Sequence, residues 1–206
     1  MKPAVHMLRI KESPISMWFA GQSYVSWKNL GYKVNFVDAI TPQTMDDYPN
    51  QLNFSDLKTS GKYQRPFSPT EKAVFYSHVK ALNDARRKSS PSIIIEHDAE
   101  LLCTLDPKIL DCNIAALGHS LISERTKVTT PALAYYITPV IADLLYKYLL
   151  RTHIKSNLDA YVMNYMVKYN DDEKFNYHVL HLKDESLGTT IDHPKGTKLN
   201  GSEENS

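Results

Sequence analysis

Cysteine is scarce in this sequence: Cys103 and Cys112 are the two among 206 residues, and they do not form a CxxC pair. A chain of this length buries about 70% of its unfolded surface, so it folds without disulfide staples. We therefore expect reduced structural thiols and a cytoplasmic setting. Net charge is also nearly absent, at +1, which excludes a global electrostatic field that would hold the protein on nucleic acid or an anionic membrane.

Long hydrophobic runs are missing as well. No window approaches the roughly 18 uninterrupted apolar residues of a membrane-spanning helix. His6, Arg9 and Lys11 interrupt the short apolar stretch at the start, which does not match a signal peptide. Residues 194–206 hold no apolar cluster, so we expect a flexible C-terminal tail after a single domain over residues 1–193.

What the sequence does contain is an alternation of short extended runs with amphipathic helical ones, which is typical of an α/β layer fold. It predicts strands over residues 4–9, 33–40, 92–95, 113–117, 132–137 and 175–182. It predicts helices that start at Ser13-Pro14, Ser68-Pro69, Thr138-Pro139 and near Asn157. Residues 41–65 are polar and are predicted to form a long loop that is functional or mobile.

Helical periodicity predicts which faces of these helices are buried. In the first helix we expect one apolar side, made of Ile15, Trp18, Phe19, Gln22 and Leu30. In the helix after Pro139 we expect a core stripe of Val140, Ile141, Leu144, Leu145, Tyr148 and Leu149.

Three potential ligands, Glu96, His97 and Asp98, follow directly after an apolar strand. Hard divalent cations such as Mg²⁺ and Mn²⁺ prefer carboxylate oxygens. In open α/β sheets, ligands bind at the carboxyl ends of strands. The outer two carboxylates are therefore candidate metal ligands. The alternative is that Asp98 is a solvated or capping acid, because an acid-x-Asp pattern also arises by chance.

Two segments of the chain carry a family resemblance. FSPTEKAVFYSH over residues 67–78 joins a Glu-containing helix start to a Ser-His pair, and IIIEHDAEL over residues 93–101 is a strand that ends in an acidic motif. Residues 115–118, 134–145, 158–159 and 186–192 agree in order and spacing. Together these segments resemble glycosyltransferase family 25, from about Val5 to His193.

The resemblance implies a GT-A-like single domain with a mixed, mostly parallel sheet flanked by helices. It implies transfer of a sugar from a nucleotide-sugar donor, usually a UDP-sugar, to an acceptor hydroxyl with inversion. A Mn²⁺ or Mg²⁺ ion held by Asp98 and Glu96 would stabilise the leaving diphosphate as a Lewis acid. A carboxylate must also accept the acceptor's proton, and Asp159 is the candidate catalytic base. The alternative is that the negative charge of Asp159 stabilises the positive end of the dipole of the helix that it begins.

The sequence departs from the family pattern at His97, which stands in place of the middle Asp of the acidic motif. His97 is a candidate metal ligand or donor-sugar contact, and a surface histidine without a role is the alternative. GT-A enzymes often supply a late histidine to the metal. We prefer His193 to His181 for that place, and an exposed tail residue is the alternative.

Further donor-binding candidates follow from the same resemblance. Ser77 and His78 match the family's Ser-His pair, although a buried core histidine is the alternative for His78. Glu96 and His97 are also candidates. Glu71 matches the family too, yet its place in a capping box explains it structurally.

The ends of the first two strands supply the last donor candidates, because a nucleotide would sit there in a GT-A fold. Arg9, Lys11 and Asp38 lie at these ends and are candidate contacts for phosphate, ribose or base. The expected acceptor is a glycan such as lipooligosaccharide. One alternative is a hydroxymethylated base of phage-type DNA, met by the basic run at residues 86–88. Another is a non-catalytic nucleotide-binding module that arose with His97.

Overall fold

The computed structural model describes residues 2–60, 63–123, 126–129, 132–169 and 179–181. Its strands in chain order are β1 (Ala4–Arg9), β2 (Val34–Asp38), β3 (Asn53–Phe54), β4 (Lys58–Ser60), β5 (Tyr63–Arg65), β6 (Ser92–Glu96), β7 (Ala99–Leu101), β8 (Ile114–Ala116), β9 (Gly118–Ser123), β10 (Thr126–Thr129), β11 (Ala134–Ile137), β12 (His153–Ile154) and β13 (Val179–His181). Its α-helices are α1 (Pro14–Asn29), α2 (Pro69–Ala85), α3 (Pro139–Arg151) and α4 (Leu158–Tyr169).

Within these residues, the central sheet has five strands in the order β2-β1-β6-β11-β8. β1 pairs in parallel with β2 and β6, whereas β11 runs antiparallel to β6 and β8. All the strands of this sheet except β11 therefore point the same way. The mixed, mostly parallel sheet flanked by helices confirms the predicted α/β class. The boundary predicted at residue 193 lies outside the described residues.

Each face of the central sheet is covered by its own apolar core. Side chains alternate across a strand, so Ile94 packs with α2, α3 and α4 while Ile93 and Ile95 pack with α1 on the other face. All three isoleucines are fully buried. Burial on both faces explains why β6 is a continuous apolar run rather than an alternating one.

The buried face of α1 differs from the predicted one. Its buried residues are Ser16, Phe19, Ala20, Ser23 and Trp27. Trp18 is 46% exposed, so the predicted side was wrong there. The buried face is polar in part because its polar groups have partners: Ser16 Oγ accepts from the Ile10 amide, and Ser23 Oγ and Trp27 Nε1 both donate to the Ala99 carbonyl. The periodicity of apolar residues does not predict the burial of serines whose hydroxyl groups are hydrogen-bonded.

The start of α2 is the best-marked boundary in the fold. Ser68 Oγ accepts from the Glu71 amide at 3.2 Å, and Glu71 Oε2 accepts from the Ser68 amide at 3.0 Å, which makes a complete capping box. Arg65 donates two hydrogen bonds to the Glu71 carboxylate, and Lys58 donates a third. These contacts, led by Arg65, hold the pKa of Glu71 far below its usual range. Glu71 therefore ties the β4–β5 hairpin to α2.

Only one side of the predicted α3 stripe is buried. Ile141, Leu145 and Leu149 are in the core, whereas Val140, Leu144 and Tyr148 are exposed by 38 to 69%. The physical reason is that α3 packs one side against α2, so the apolar stripe is wider than the surface that it covers.

The segment 41–65 contains more order than the loop prediction allowed. It holds a 3₁₀ turn at Met45–Asp47 and the short strands β3, β4 and β5. β3 pairs with β12, and β4 pairs with β5. β3 depends on a partner that is distant in sequence, and β4 and β5 are only three residues long, so local sequence does not mark these strands. No helix in the described part of the chain is long and apolar enough to cross a membrane.

The N-caps of α2 and α3 offer a matched test of capping. Ser68→Ala should lower the free energy of unfolding by about 1 kcal/mol, because the cap hydrogen bond to the Glu71 amide is lost. Thr138 is also an N-cap, but its side chain makes no cap hydrogen bond. Thr138→Ala should therefore change the free energy of unfolding by well under half of that amount. Urea denaturation measures both, and equal losses would contradict the assignment.

Candidate functional site

A cavity of about 420 Å³ lies at the carboxyl ends of β1, β2 and β6. Its volume is in the range of small-molecule binding sites, which is roughly 300–1,000 Å³. The wall comes from the end of β1, the loop after β2, the first turn of α1, the first half of α2 and the residues that end β6. Its residues are Leu8, Arg9, Ile10, Ser13, Ile15, Ser16, Ala39, Ile40, Thr41, Pro42, Thr70, Ala73, Val74, Ser77, His78, Glu96 and His97.

Strand register brings the candidate residues to one edge of the sheet. Arg9 is level with Asp38 across β1 and β2, and Leu8 is level with Glu96 across β1 and β6. The last residues of β1 and β6 therefore meet at the cavity, beside the loop that follows β2. The carboxyl ends of strands form the edge at which open α/β sheets bind ligands.

Arg9, at the end of β1, is part of the cavity wall, but the two side chains that it contacts lie outside the wall. Arg9 Nε donates to Asp38 Oδ1 at 3.2 Å, and its guanidinium lies 4.2 Å from the centre of the Phe36 ring. Asp38 and Lys11 are not part of the wall. Asp38 is thus connected to the cavity wall through Arg9, and no contact among the described residues supports the prediction for Lys11.

Glu96 is the only carboxylate in the wall that the described residues provide. Its Oε1 lies 3.5 Å from Nε2 of His78, whose side chain is fully buried. His78 Nδ1 lies 3.1 Å from the hydroxyl of Tyr135 on β11, and the two rings are stacked. His78 is therefore a buried core residue that also lines the cavity, and its predicted contact with the donor stays a prediction.

Ser77 is the other half of the Ser-His pair, and its hydroxyl is hydrogen-bonded within the cavity wall. Its hydroxyl accepts from the Ile40 amide at 2.9 Å and is within hydrogen-bond distance of the Ile40 and Ala73 carbonyls. Ile40 belongs to the loop after β2 that lines the cavity. Ser77 therefore fixes that loop against α2.

Asp159 lies in the first turn of α4 and reaches back to the start of β11. Its Oδ1 accepts from the Ala132 amide at 2.9 Å. Burial, followed by the negative charge of Glu96, raises the pKa of Asp159, while the Ala132 amide and His78 oppose the shift. Asp159 is thus electrostatically coupled to Glu96 and His78, although it is not part of the cavity wall.

The comparisons with known proteins bear on this cavity. The family model for glycosyltransferase family 25, described as an LPS biosynthesis protein, matches residues 22–128, just over half of the 206-residue chain. The chain belongs to glycosyltransferase family 25. The matched range includes α2, β6 and the acidic motif after it, which are the segments that suggested the family. The chain is therefore a glycosyltransferase.

Among the solved structures that are similar to this chain is one of low sequence identity. It is a crystal structure of a glycosyltransferase involved in the glycosylation of the major capsid of PBCV-1, with 8% sequence identity and a TM-score of 0.41, covering 90% of this chain and 98% of that one. A similarity of this size carries no argument about donor or acceptor. Curated protein sequences give no match.

The metal set predicted for this family member is not assembled by the described residues. Asp98 is 1% exposed and lies outside the cavity wall, and its Oδ2 is 3.9 Å from His97 Nε2. Over the described ranges, no three His, Cys, Asp or Glu side chains converge on a point that could hold a metal ion. The third predicted ligand, His193, lies outside those ranges. Glu96 and Asp98 alone do not complete a metal site among the described residues, and the metal stays a prediction.

Several residues of the site could not be predicted from the sequence. Tyr135 was placed in the resembling segment but given no role, because only its position beside His78 reveals one. The sequence predicted only a cap role for Ser13 and no role for Ser16, although both line the cavity. Since three residues separate β1 from the cap Ser13, the start of α1 has to lie at the carboxyl end of β1. That short connection was the available signal.

Ser77 and Ser92 give a matched test of the cavity wall. Ser77→Ala leaves the Ile40 amide without its acceptor, so it should cost about 1–2 kcal/mol of free energy of unfolding and should weaken nucleotide binding. Ser92 is equally buried, but its Oγ has no hydrogen-bond partner among the described residues. Ser92→Ala should change neither quantity. Urea denaturation and calorimetric titration with UDP measure the two effects.

Proposed function

We propose that this glycosyltransferase moves a sugar from a nucleotide-sugar, with UDP-sugars as the first class to test, to a hydroxyl of a glycan acceptor such as lipooligosaccharide. The observation that carries the proposal is the 420 Å³ cavity at the strand ends, whose wall includes Arg9, Glu96 and His97. It supports binding of the donor there. The family's description as an LPS biosynthesis protein supports a glycan acceptor.

The chemistry of the wall suits the two ends of a nucleotide diphosphate. The first turn of α1 lines the cavity, and a helix N-terminus favours a phosphate group because its amides carry partial positive charge. Arg9, whose guanidinium is also paired with Asp38, adds positive charge at the same edge of the sheet. Apolar residues such as Ile10, Ile40 and Val74 supply surface against which a base or sugar ring packs.

Transfer with inversion is a single displacement. The acceptor oxygen forms a bond to the anomeric carbon of the donor sugar while the bond to the diphosphate oxygen breaks, and the bonding electrons leave with the nucleotide. The acceptor's proton has to pass to a base. We assign that role to Asp159, because burial and the Glu96 charge make its carboxylate more basic than an exposed one.

The alternative DNA acceptor is not supported by where the basic run lies. Arg86 donates to Asp143 Oδ1 at 3.0 Å and covers the ring of Tyr146, so it is engaged within the fold. Residues 86–88 follow the end of α2, whereas the cavity is lined by the beginning and middle of that helix. Their positive charge is therefore displaced from the donor cavity along α2.

The proposed reaction is tested by release of free nucleotide from a panel of nucleotide-sugars. We expect slow hydrolysis of one UDP-sugar by the wild-type chain and none by Glu96→Gln. The panel is run with Mn²⁺, with Mg²⁺ and with EDTA. Loss of turnover in EDTA supports a metal site completed by His193, and turnover in EDTA supports a reaction without a metal. Absence of nucleotide binding for every donor would overturn the proposed donor site.

The base assignment is tested with Asp159→Asn, which keeps an acceptor for the Ala132 amide. We expect kcat for donor turnover to fall by about 100-fold or more, since general base catalysis contributes on that scale. Stability should not fall. The folded-state pKa of Asp159 is raised, so its charged form is penalised above that pKa, and Asp159→Asn removes the penalty. Its stability relative to wild type should therefore improve as pH rises from about 4 towards 7.

Asp143→Asn is the matched control. Lys147 and Arg86 lower the pKa of Asp143, so its charge stabilises the fold above the usual carboxylate pKa and this contribution is lost as pH falls. The control should lose stability at pH 7, lose less at low pH, and keep donor turnover. Unfolding midpoints across pH and initial rates measure both variants. Unchanged kcat in Asp159→Asn would contradict the base assignment.

A further inference from the structure

A line of three side chains leads from the interior of the fold to the cavity wall. Tyr135 is fully buried on β11 and its hydroxyl lies 3.1 Å from Nδ1 of the fully buried His78. His78 Nε2 lies 3.5 Å from Oε1 of Glu96, whose side chain is 30% exposed. Only the last of the three is accessible. The line therefore connects a buried hydroxyl to the one carboxylate that the described residues place in the wall.

The contacts at both ends of the imidazole select one arrangement of its proton. A neutral histidine carries one N–H and one lone pair. If the proton were on Nδ1, the Nε2 lone pair would face the Glu96 carboxylate, which is repulsive. With the proton on Nε2, Nδ1 accepts from the Tyr135 hydroxyl, and Nε2–H lies 3.5 Å from Glu96 Oε1 without a hydrogen bond between them in this structure. Burial and the Glu96 charge raise the pKa of Tyr135, so that hydroxyl keeps its proton.

We propose that Tyr135 and His78 are positioning residues that fix the orientation of the Glu96 carboxylate for the donor. The proposal rests on the proposed function, since it assumes that Glu96 contacts a bound nucleotide-sugar. Tyr135 holds the His78 ring in one tautomer, and the ring presents Nε2–H to one carboxylate oxygen. When His78 holds one oxygen of the Glu96 carboxylate, the position of the other oxygen is fixed as well. Neither Tyr135 nor His78 needs to touch the substrate.

The geometry explains why such support is needed. Glu96 is the last residue of β6, and its side chain extends from the sheet edge into an open cavity. A glutamate there loses side-chain freedom when it binds a ligand, and prior orientation reduces that cost. The 3.5 Å separation is longer than an ordinary hydrogen bond. Hydrogen bonds in functional sites are often long without ligand and shorten in the complex.

The test uses two adjacent tyrosines on β11. Tyr135→Phe removes the hydroxyl that faces His78. Tyr136→Phe is the matched control: Tyr136 is equally buried, and its hydroxyl donates to the Leu110 carbonyl in the opposite core. Both variants lose one buried hydroxyl, so both should lose similar stability. Only Tyr135→Phe should lower kcat/KM for the donor, by about 3- to 10-fold, as expected for one neutral hydrogen bond.

A double-mutant cycle separates positioning from a general loss of packing. If Tyr135 acts through His78 on Glu96, Tyr135→Phe should weaken donor binding in the wild-type background and should have little further effect on donor binding, measured by calorimetric titration, in the Glu96→Gln background. Effects that multiply would overturn the proposal, as would equal losses of kcat/KM in Tyr135→Phe and Tyr136→Phe.

A spectroscopic measurement tests the proposal without any turnover. In ¹⁵N-histidine-labelled full-length protein, one ring should show the Nε2–H tautomer, and its ring nitrogens should shift in Tyr135→Phe and in Glu96→Gln but not in Tyr136→Phe. Absence of such a ring overturns the positioning line. If the ring is found but no nucleotide-sugar binds to the wild type, the proposed function fails instead. The two failures are therefore distinguishable.

Discussion

The reversal of one strand determines the site. β11 is antiparallel to β6, so its first residues meet the last residues of β6, and the Glu96 amide donates to the Leu133 carbonyl at 2.8 Å. A parallel strand in that place would have carried residues 132–134 to the far edge of the sheet. Because β11 is reversed, the Ala132 amide that binds Asp159 lies beside Glu96. The acids of β6 and α4 are thereby brought to one edge, although Asp159 follows Glu96 by 63 positions in the sequence.

Helix α2 joins stability and function in one element. Its capping box and the Glu71 ion pairs fix where it begins, its apolar face packs on the sheet, and its first half lines the cavity. Two adjacent residues of α2 contact two different parts of the wall. Ser77 binds the loop after β2, and His78 lies beside the carboxylate that ends β6. A shift of this helix by one residue would break both contacts at once. The precision of the site therefore depends on the same interactions that stabilise α2.

Local signals predicted the parts of the fold that depend on local chemistry. The Ser68-Pro69 start of α2 and the strand that ends at Glu96 lie where the sequence placed them, because caps and continuous apolar runs are short-range features. The polar buried face of α1 and the strands β3 and β12 were not predictable, since their partners are distant in sequence. For the same reason the sequence marked Glu96, His78 and Asp159 as candidates but gave no sign that Tyr135 completes their arrangement.

We expect the cavity at the ends of β1, β2 and β6 to hold the nucleotide of the donor. The most direct test is a crystal structure of the full chain with UDP bound. The account predicts UDP in that cavity, with its diphosphate near the first turn of α1 and with Glu96 and His97 at its edge. UDP bound elsewhere on the chain, with this cavity empty, would contradict the account.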